Sequence, residues 1–151
     1  MSAVKVNIKK ISKSLDKSQF SQAYINWEVD GKYYPSVDWI DSGIIIISWW
    51  SQRLQLLVSG ARQVDFSFME GSYEIIAEHT LFNHIKLMTE EGDHLGNCSL
   101  YELASAIKDG AEKLSNTIDY KDGDIFKNFQ EIVSSLESSL ETIVKSVRKH
   151  S

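Results

Sequence analysis

Between Ile40 and Gly60 the chain reads IDSGIIIISWWSQRLQLLVSG, its densest apolar segment, and past Asp41 the segment carries a single formal charge, Arg53. A stretch so poor in charge has to be covered, so the rest of the chain is organised around it. Spacings of three and four place Ile44, Ile47, Trp50, Leu54, Leu57 and Val58 on one broad helical face, with Asp41 or Ser42 as N-cap and Gly60 as the stop. The run Ile44 to Ile47 is β-branched and packs well on a pleated surface, so a strand ending near Trp49 is the competing form of the first half. The length approaches the roughly 20 apolar residues of a membrane span. Ser48, Ser51, Gln52, Arg53 and Gln55 interrupt it within two turns, which argues against one.

A chain of 151 residues is expected to form one domain, 1–151, and to bury about two-thirds of its unfolded surface around a single core. Pro35 is its one proline, and no low-complexity linker divides it. The lone cysteine, Cys98, has no internal partner, and neither CxxC nor HxxxH spacing occurs, so no disulfide, metal or cofactor is expected. The opening MSAVKVNIKKISKS lacks the apolar run and small-residue cleavage site of a signal peptide. The cytoplasm is the expected compartment. Sixteen basic against twenty-one acidic side chains leave a net charge of −5. That balance disfavours a nucleic-acid backbone as ligand and suits a basic protein partner.

Strands are legible as period-two alternation. Val4, Val6 and Ile8 alternate with Lys5, Asn7 and Lys9; after a polar stretch, Ser12 to Ser21, expected to loop, Ile25, Trp27 and Val29 alternate with Asn26 and Glu28. Asp30-Gly31 supplies the positive φ angles of a tight hairpin turn, and Tyr33, Tyr34 and Pro35 return the chain. Past Gly60, Val64, Phe66 and Phe68 share a face; Glu70-Gly71-Ser72 turns; Tyr73, Ile75 and Ala77 return, and Asn83 to Thr89 forms a third strand of the meander. Its other face carries Asp65, Glu74 and Glu78.

From Asn97 the period changes. Asn97 or Ser99 can cap a helix with Leu100, Leu103, Ile107, Ala111 and Leu114 on one side, weakened by Gly110. Beyond Asp122-Gly123-Asp124, a last helix from Ile125 to about Lys149, roughly 37 Å long, carries a stripe of Phe129, Ile132, Leu136, Leu140, Ile143 and Val147. Such a stripe fits packing on the chain's own elements and also a coiled-coil dimer. The fold class is therefore α+β: antiparallel strands packed against a central helix and two C-terminal helices.

Catalytic signatures are missing from the sequence: no GxSxG elbow, phosphate-binding glycine loop or dinucleotide fingerprint occurs. His79 falls on the apolar side of its strand. Glu74 and Glu78 stand roughly 13 Å apart along one strand, beyond the usual separation of a glycosidase pair. Glu90, Glu91 and Asp93 flank Gly92 in a turn with too few oxygen ligands for a calcium loop. Trp49 and Trp50 point about 100° apart on a helix, so one of them is available for contact, and tryptophan is enriched at binding hot spots.

The series YINWEVDGKYYPSVDWID, ISWWSQRLQLLVSG and FSFMEGSYEI resembles small bacterial immunity proteins, which bind and neutralise toxins of the polymorphic or contact-dependent growth-inhibition type. Trp39 to Asp41, Trp49-Trp50 and the Phe68-Met69-Glu70-Gly71 turn carry the likeness, over about residues 24–76. It implies a non-catalytic inhibitor of a cognate toxin domain. No binding surface is shared across such proteins. The charge balance argues against a nucleic-acid ligand, no membrane ligand is expected, and the last helix leaves a monomer or weak homodimer as the expected state. From charge and exposure alone, Asp65, Glu74, Glu78, Glu90, Glu91, Asp93 and Trp49 are the candidate contact residues. Two other classes remain open: an enzyme with a site assembled from distant residues such as His79 or Cys98, and a scaffold dimerising through the last helix.

Overall fold

The computed structural model describes residues 1–11, 22–81, 83–117 and 123–150, without the side chains of 149 and 150. The stretch expected to loop before the second strand, and Asp122, lie outside those residues. The elements run β1 (Val4–Lys10), β2 (Gln22–Val29), β3 (Lys32–Tyr34), β4 (Ile40–Ser42), α1 (Gly43–Val58), β5 (Gln63–Ser67), β6 (Glu74–Leu81), β7 (His84–Thr89), β8 (His94–Ser99), α2 (Leu100–Thr117) and α3 (Asp124–His150). The fold is α+β with antiparallel pairing throughout.

The strands divide into two four-stranded sheets. In the first, β2 pairs with β1 on one side and with both β3 and β4 on the other; the second runs β5-β6-β7-β8. Asp30 and Gly31 adopt φ of 52° and 80°, which turns β2 back into β3 as the Asp-Gly pair predicts. The sheets meet where the Ser2 amide donates to the Asn97 carbonyl (2.7 Å) and the Asn97 amide to Ser2 Oγ (3.1 Å). Gly96 makes that approach feasible: a β-carbon there would lie 2.4 Å from Ser2 Oγ and 2.7 Å from Val29 Cγ1.

The isoleucine run is helical, so the competing strand ending near Trp49 does not form; only Ile40–Ser42, ahead of the run, is a short strand on β2. Ile44, Ile47, Trp50, Leu54 and Leu57 are buried as expected; Ile46 joins them, and Val58 is only half-buried. The helix stops in a Schellman motif, with the Gly60 amide on the Leu57 carbonyl (3.2 Å), the Ala61 amide on the Leu56 carbonyl (2.9 Å) and Gly60 at φ 111°. Neither Asp41 nor Ser42 caps its start through a side chain.

One core joins the layers. Trp27 of β2 meets Trp50 of α1 edge-on with centroids 5.5 Å apart, and Phe66 of β5 at 5.2 Å. Each such ring pair contributes about 0.5–1.5 kcal/mol beyond its buried area. Helix α2 lies on β1 and starts at a Ser99 N-cap: the Glu102 amide donates to Ser99 Oγ (3.0 Å), and Ser99 Oγ in turn donates to Glu102 Oε1 (3.3 Å). Ser99 is the cap; Asn97 belongs to β8, a strand whose sequence, HLGNCS, shows no alternation. Phe129, Leu136 and Ile143 of α3 are buried against α1 and α2, so the stripe compatible with a coiled coil is occupied within the chain.

Candidate functional site

At one end of the molecule the β5–β6 loop, the β7–β8 turn and the segment after β3 converge. Asp41, fully buried, ties the loop down: Trp39 Nε1 (3.0 Å) and the amides of Met69 (3.1 Å) and Glu70 (3.2 Å) all donate to its Oδ2. Trp39 packs edge-on against Tyr73 (5.2 Å) and Phe68 (6.4 Å), and Tyr34 against Tyr73 (5.8 Å). Gly71 passes so close to the Trp39 ring that a β-carbon would sit 2.8 Å from it. The aromatic-acid signature and the Phe68–Gly71 turn are thus one structural unit, although they are remote in sequence.

On this platform Glu90 receives two donors, the Tyr34 hydroxyl and the Glu74 amide (3.2 Å). Partial burial pulls the Glu90 carboxyl upward. The hydrogen bonds from Tyr34 and from backbone amides outweigh it, so the group ends below the usual glutamate value. Desolvation lifts the Tyr34 hydroxyl well above its ordinary value, and the bond to Glu90 with that carboxylate's charge adds to the shift. Glu90 is accordingly a fixed anion next to an un-ionised phenol.

Of the expected contact residues, Glu74 and Glu90 are neighbours. Glu91 and Asp93 are exposed on the adjoining turn, where Gly92 has φ 89° and the Thr89 amide meets the Asp93 carbonyl at 2.9 Å. Asp65, Glu74 and Glu78 share the outer face of β5 and β6, and Ser67 Oγ donates to Glu74 Oε1 (3.3 Å). Glu78 stands apart from the others, opposite Lys86 of β7, which dilutes the charge there. Trp49 is 39% exposed whereas Trp50 is buried, its Nε1 on the Ser67 carbonyl (2.8 Å). Trp49, Gln52, Arg53, Asp65 and Ser67 enclose a cleft of about 270 Å³, bringing Trp49 and Asp65 together.

Sequence reasoning missed the roles of Tyr34, Tyr73 and Met69. Tyr73 is 40% and Met69 48% exposed on this end. A signal for them exists in the chain, since aromatic residues beside a hairpin turn and next to acids are atypical of a purely solvated loop.

The residues considered for chemistry lie elsewhere. Cys98 is buried in the core; desolvation, with the Glu102 charge, pushes its thiol up to about 12. His79 is half-buried and its Nε2 lies 3.1 Å from the Leu57 carbonyl, beside an apolar groove of about 380 Å³ between α1, β6 and α3. Among the described residues no group of three His, Cys, Asp or Glu side chains is placed to hold a metal ion, and no helix is long and apolar enough to cross a membrane.

The chain matches no family model, no curated protein and no solved structure. Its function has to be argued from its own surfaces.

Proposed function

We propose that this chain is a cytoplasmic immunity-type inhibitor that neutralises a basic toxin domain by stoichiometric binding, without catalysis and without a cofactor. The observation that carries this reading is the pre-built acidic and aromatic end, where Glu74 and Glu90 are held side by side, with Tyr34 and Tyr73 packed edge-on beside them and Met69 exposed nearby. Fixed carboxylates speed the capture of a basic partner, and rigid aromatic side chains with an adaptable thioether beside them slow its release. Glu91, Asp93 and Asp65 extend the negative surface, and Trp49 offers a second anchor at its border.

The test is direct. The C-terminal domain encoded in the adjacent reading frame is expected to form a one-to-one complex with this chain and to lose its toxicity on co-expression. Replacing Glu74, Glu91 and Asp93 together by lysine should slow association at least tenfold at low salt and flatten its salt dependence. Absence of a complex, or an association rate indifferent to the triple substitution, defeats the proposal.

A further inference from the structure

We infer that the groove between α1, β6 and α3 binds a small anionic amphiphile, an unbranched hydrocarbon chain ending in one carboxylate. Strand β6 starts at Glu74, beside the acidic platform, and reaches the groove at its other end with His79, Thr80 and Leu81. The two surfaces are therefore separate, and this inference does not depend on the inhibitor role.

The walls select the body of the ligand. The volume of about 380 Å³ falls in the range of small-molecule pockets, roughly 300–1,000 Å³. Leu57, Val58, Leu81, Leu100, Ile143 and Val147 line it. Leu57 and Ile143 are buried beneath it, whereas Leu81 is 71% exposed. A chain laid along Leu81 would remove that apolar surface from water, which is favourable in proportion to the area covered. Among the described lining residues there is no phenylalanine, tyrosine or tryptophan. Aliphatic walls of this kind suit a flexible saturated chain and offer no ring on which a flat ligand could stack.

Charge selects the head. Arg62 lines the groove, and among the described residues no acid pairs with its guanidinium. The planar fork of that group matches the two oxygens of a carboxylate. The chain has twenty-one acidic side chains, yet none is among the described lining residues. The carbonyls that end α1 would repel an anion if they were free. They are engaged: the Leu56 carbonyl accepts the Ala61 amide (2.9 Å), and the Leu57 carbonyl accepts the Gly60 amide (3.2 Å) and His79 Nε2 (3.1 Å). A carbonyl only accepts, so Nε2 carries the hydrogen and the imidazole is held in place at the groove. An amine head would face Arg62 with like charge, and an alcohol would leave the guanidinium without a counter-charge.

The probe is octanoate, kept below its micelle-forming concentration and titrated into the intact protein, with side-chain methyl resonances as the readout. Octanol and octylamine are the controls. Octanoate should shift the Leu57, Leu81 and Ile143 methyls saturably and leave Ile75, at the opposite end of β6, unmoved. Octanol should bind about tenfold more weakly and octylamine not measurably, because each lacks the carboxylate that Arg62 recognises. Arg62→Met keeps an apolar stem and removes the charge; it should weaken octanoate about tenfold and leave octanol unchanged. Leu81→Glu changes an exposed residue and places an acid at the groove, so it should weaken octanoate by about tenfold or more. The inference is overturned if octanoate gives no saturable shift, if octanol binds as tightly as octanoate, or if both variants bind octanoate like the wild type. It is overturned as well if octanoate fails while a short peptide with a free C-terminal leucine moves the same methyls, since the groove would then take the end of a partner chain. None of these results bears on the acidic end, whose test is complex formation with the neighbouring-frame domain.

Discussion

A β-carbon on Gly110 would lie 2.6 Å from Cγ1 of Val6, so α2 rests on β1 at a distance that only glycine allows. In an open helix, replacing glycine by alanine stabilises by about 1 kcal/mol. Here overpacking of about 1–3 kcal/mol opposes that gain. Gly110→Ala should therefore lower the urea midpoint, and in a Val6→Ala background the same change should raise it. A stabilised single variant would show that the contact relaxes freely.

Asp41 gathers three donors from two segments onto one buried oxygen. Asp41→Ala strands those donors at about 1–3 kcal/mol each where they stay buried, for an expected loss of about 3 kcal/mol or more. Asp41→Asn should cost less, because it keeps one acceptor oxygen. Equilibrium unfolding followed by tryptophan emission distinguishes the two, and equal losses would contradict the acceptor role.

The Tyr34–Glu90 bond makes stability depend on pH at both extremes. Glu90 titrates lower in the folded than in the unfolded chain, so its contribution is present above the ordinary glutamate value and is lost as pH falls through the folded one. Tyr34 titrates higher when folded, so its contribution is complete below the ordinary tyrosine value of about 10 and declines as pH rises above it. Melting temperatures of wild type and Tyr34→Phe should converge at acid pH and at strongly alkaline pH, and differ most between. Parallel curves across the whole range would refute the coupling.

Cys98 should resist modification. With a thiol pushed up to about 12 and no exposed surface, it should react with an aromatic disulfide reagent at pH 8 only at the rate of unfolding. Fast stoichiometric labelling of the native protein would reopen the possibility of a cysteine nucleophile.

The acidic end shows where sequence reading stops. Glu74, Glu90, Glu91 and Asp93 can be named as exposed acids from alternation and turn chemistry alone. That Glu90 accepts from Glu74, 16 residues away, and from Tyr34, 56 residues away, depends on strand register and is not legible locally. Alternation groups Glu78 with Glu74, yet Lys86 arrives opposite Glu78 only once β7 is paired.

Side-chain period, Asp-Gly turn chemistry and glycine stops belong to short stretches of chain, and so β1, β2, the β5–β7 meander and the stripes of all three helices follow from the sequence by itself. The three-residue β4 and the patternless β8 carry no such local signal, and they exist because β2 and β7 offer them partners. Tertiary structure alone decided the split into two sheets, the pinning of the β5–β6 loop by Asp41, and the pairing of Trp49 with Asp65 across the cleft between α1 and β5. The physical reason is range: alternation is set by neighbours in sequence, whereas burial of Asp41 or close packing at Gly96 and Gly110 requires segments that meet only when the whole core forms.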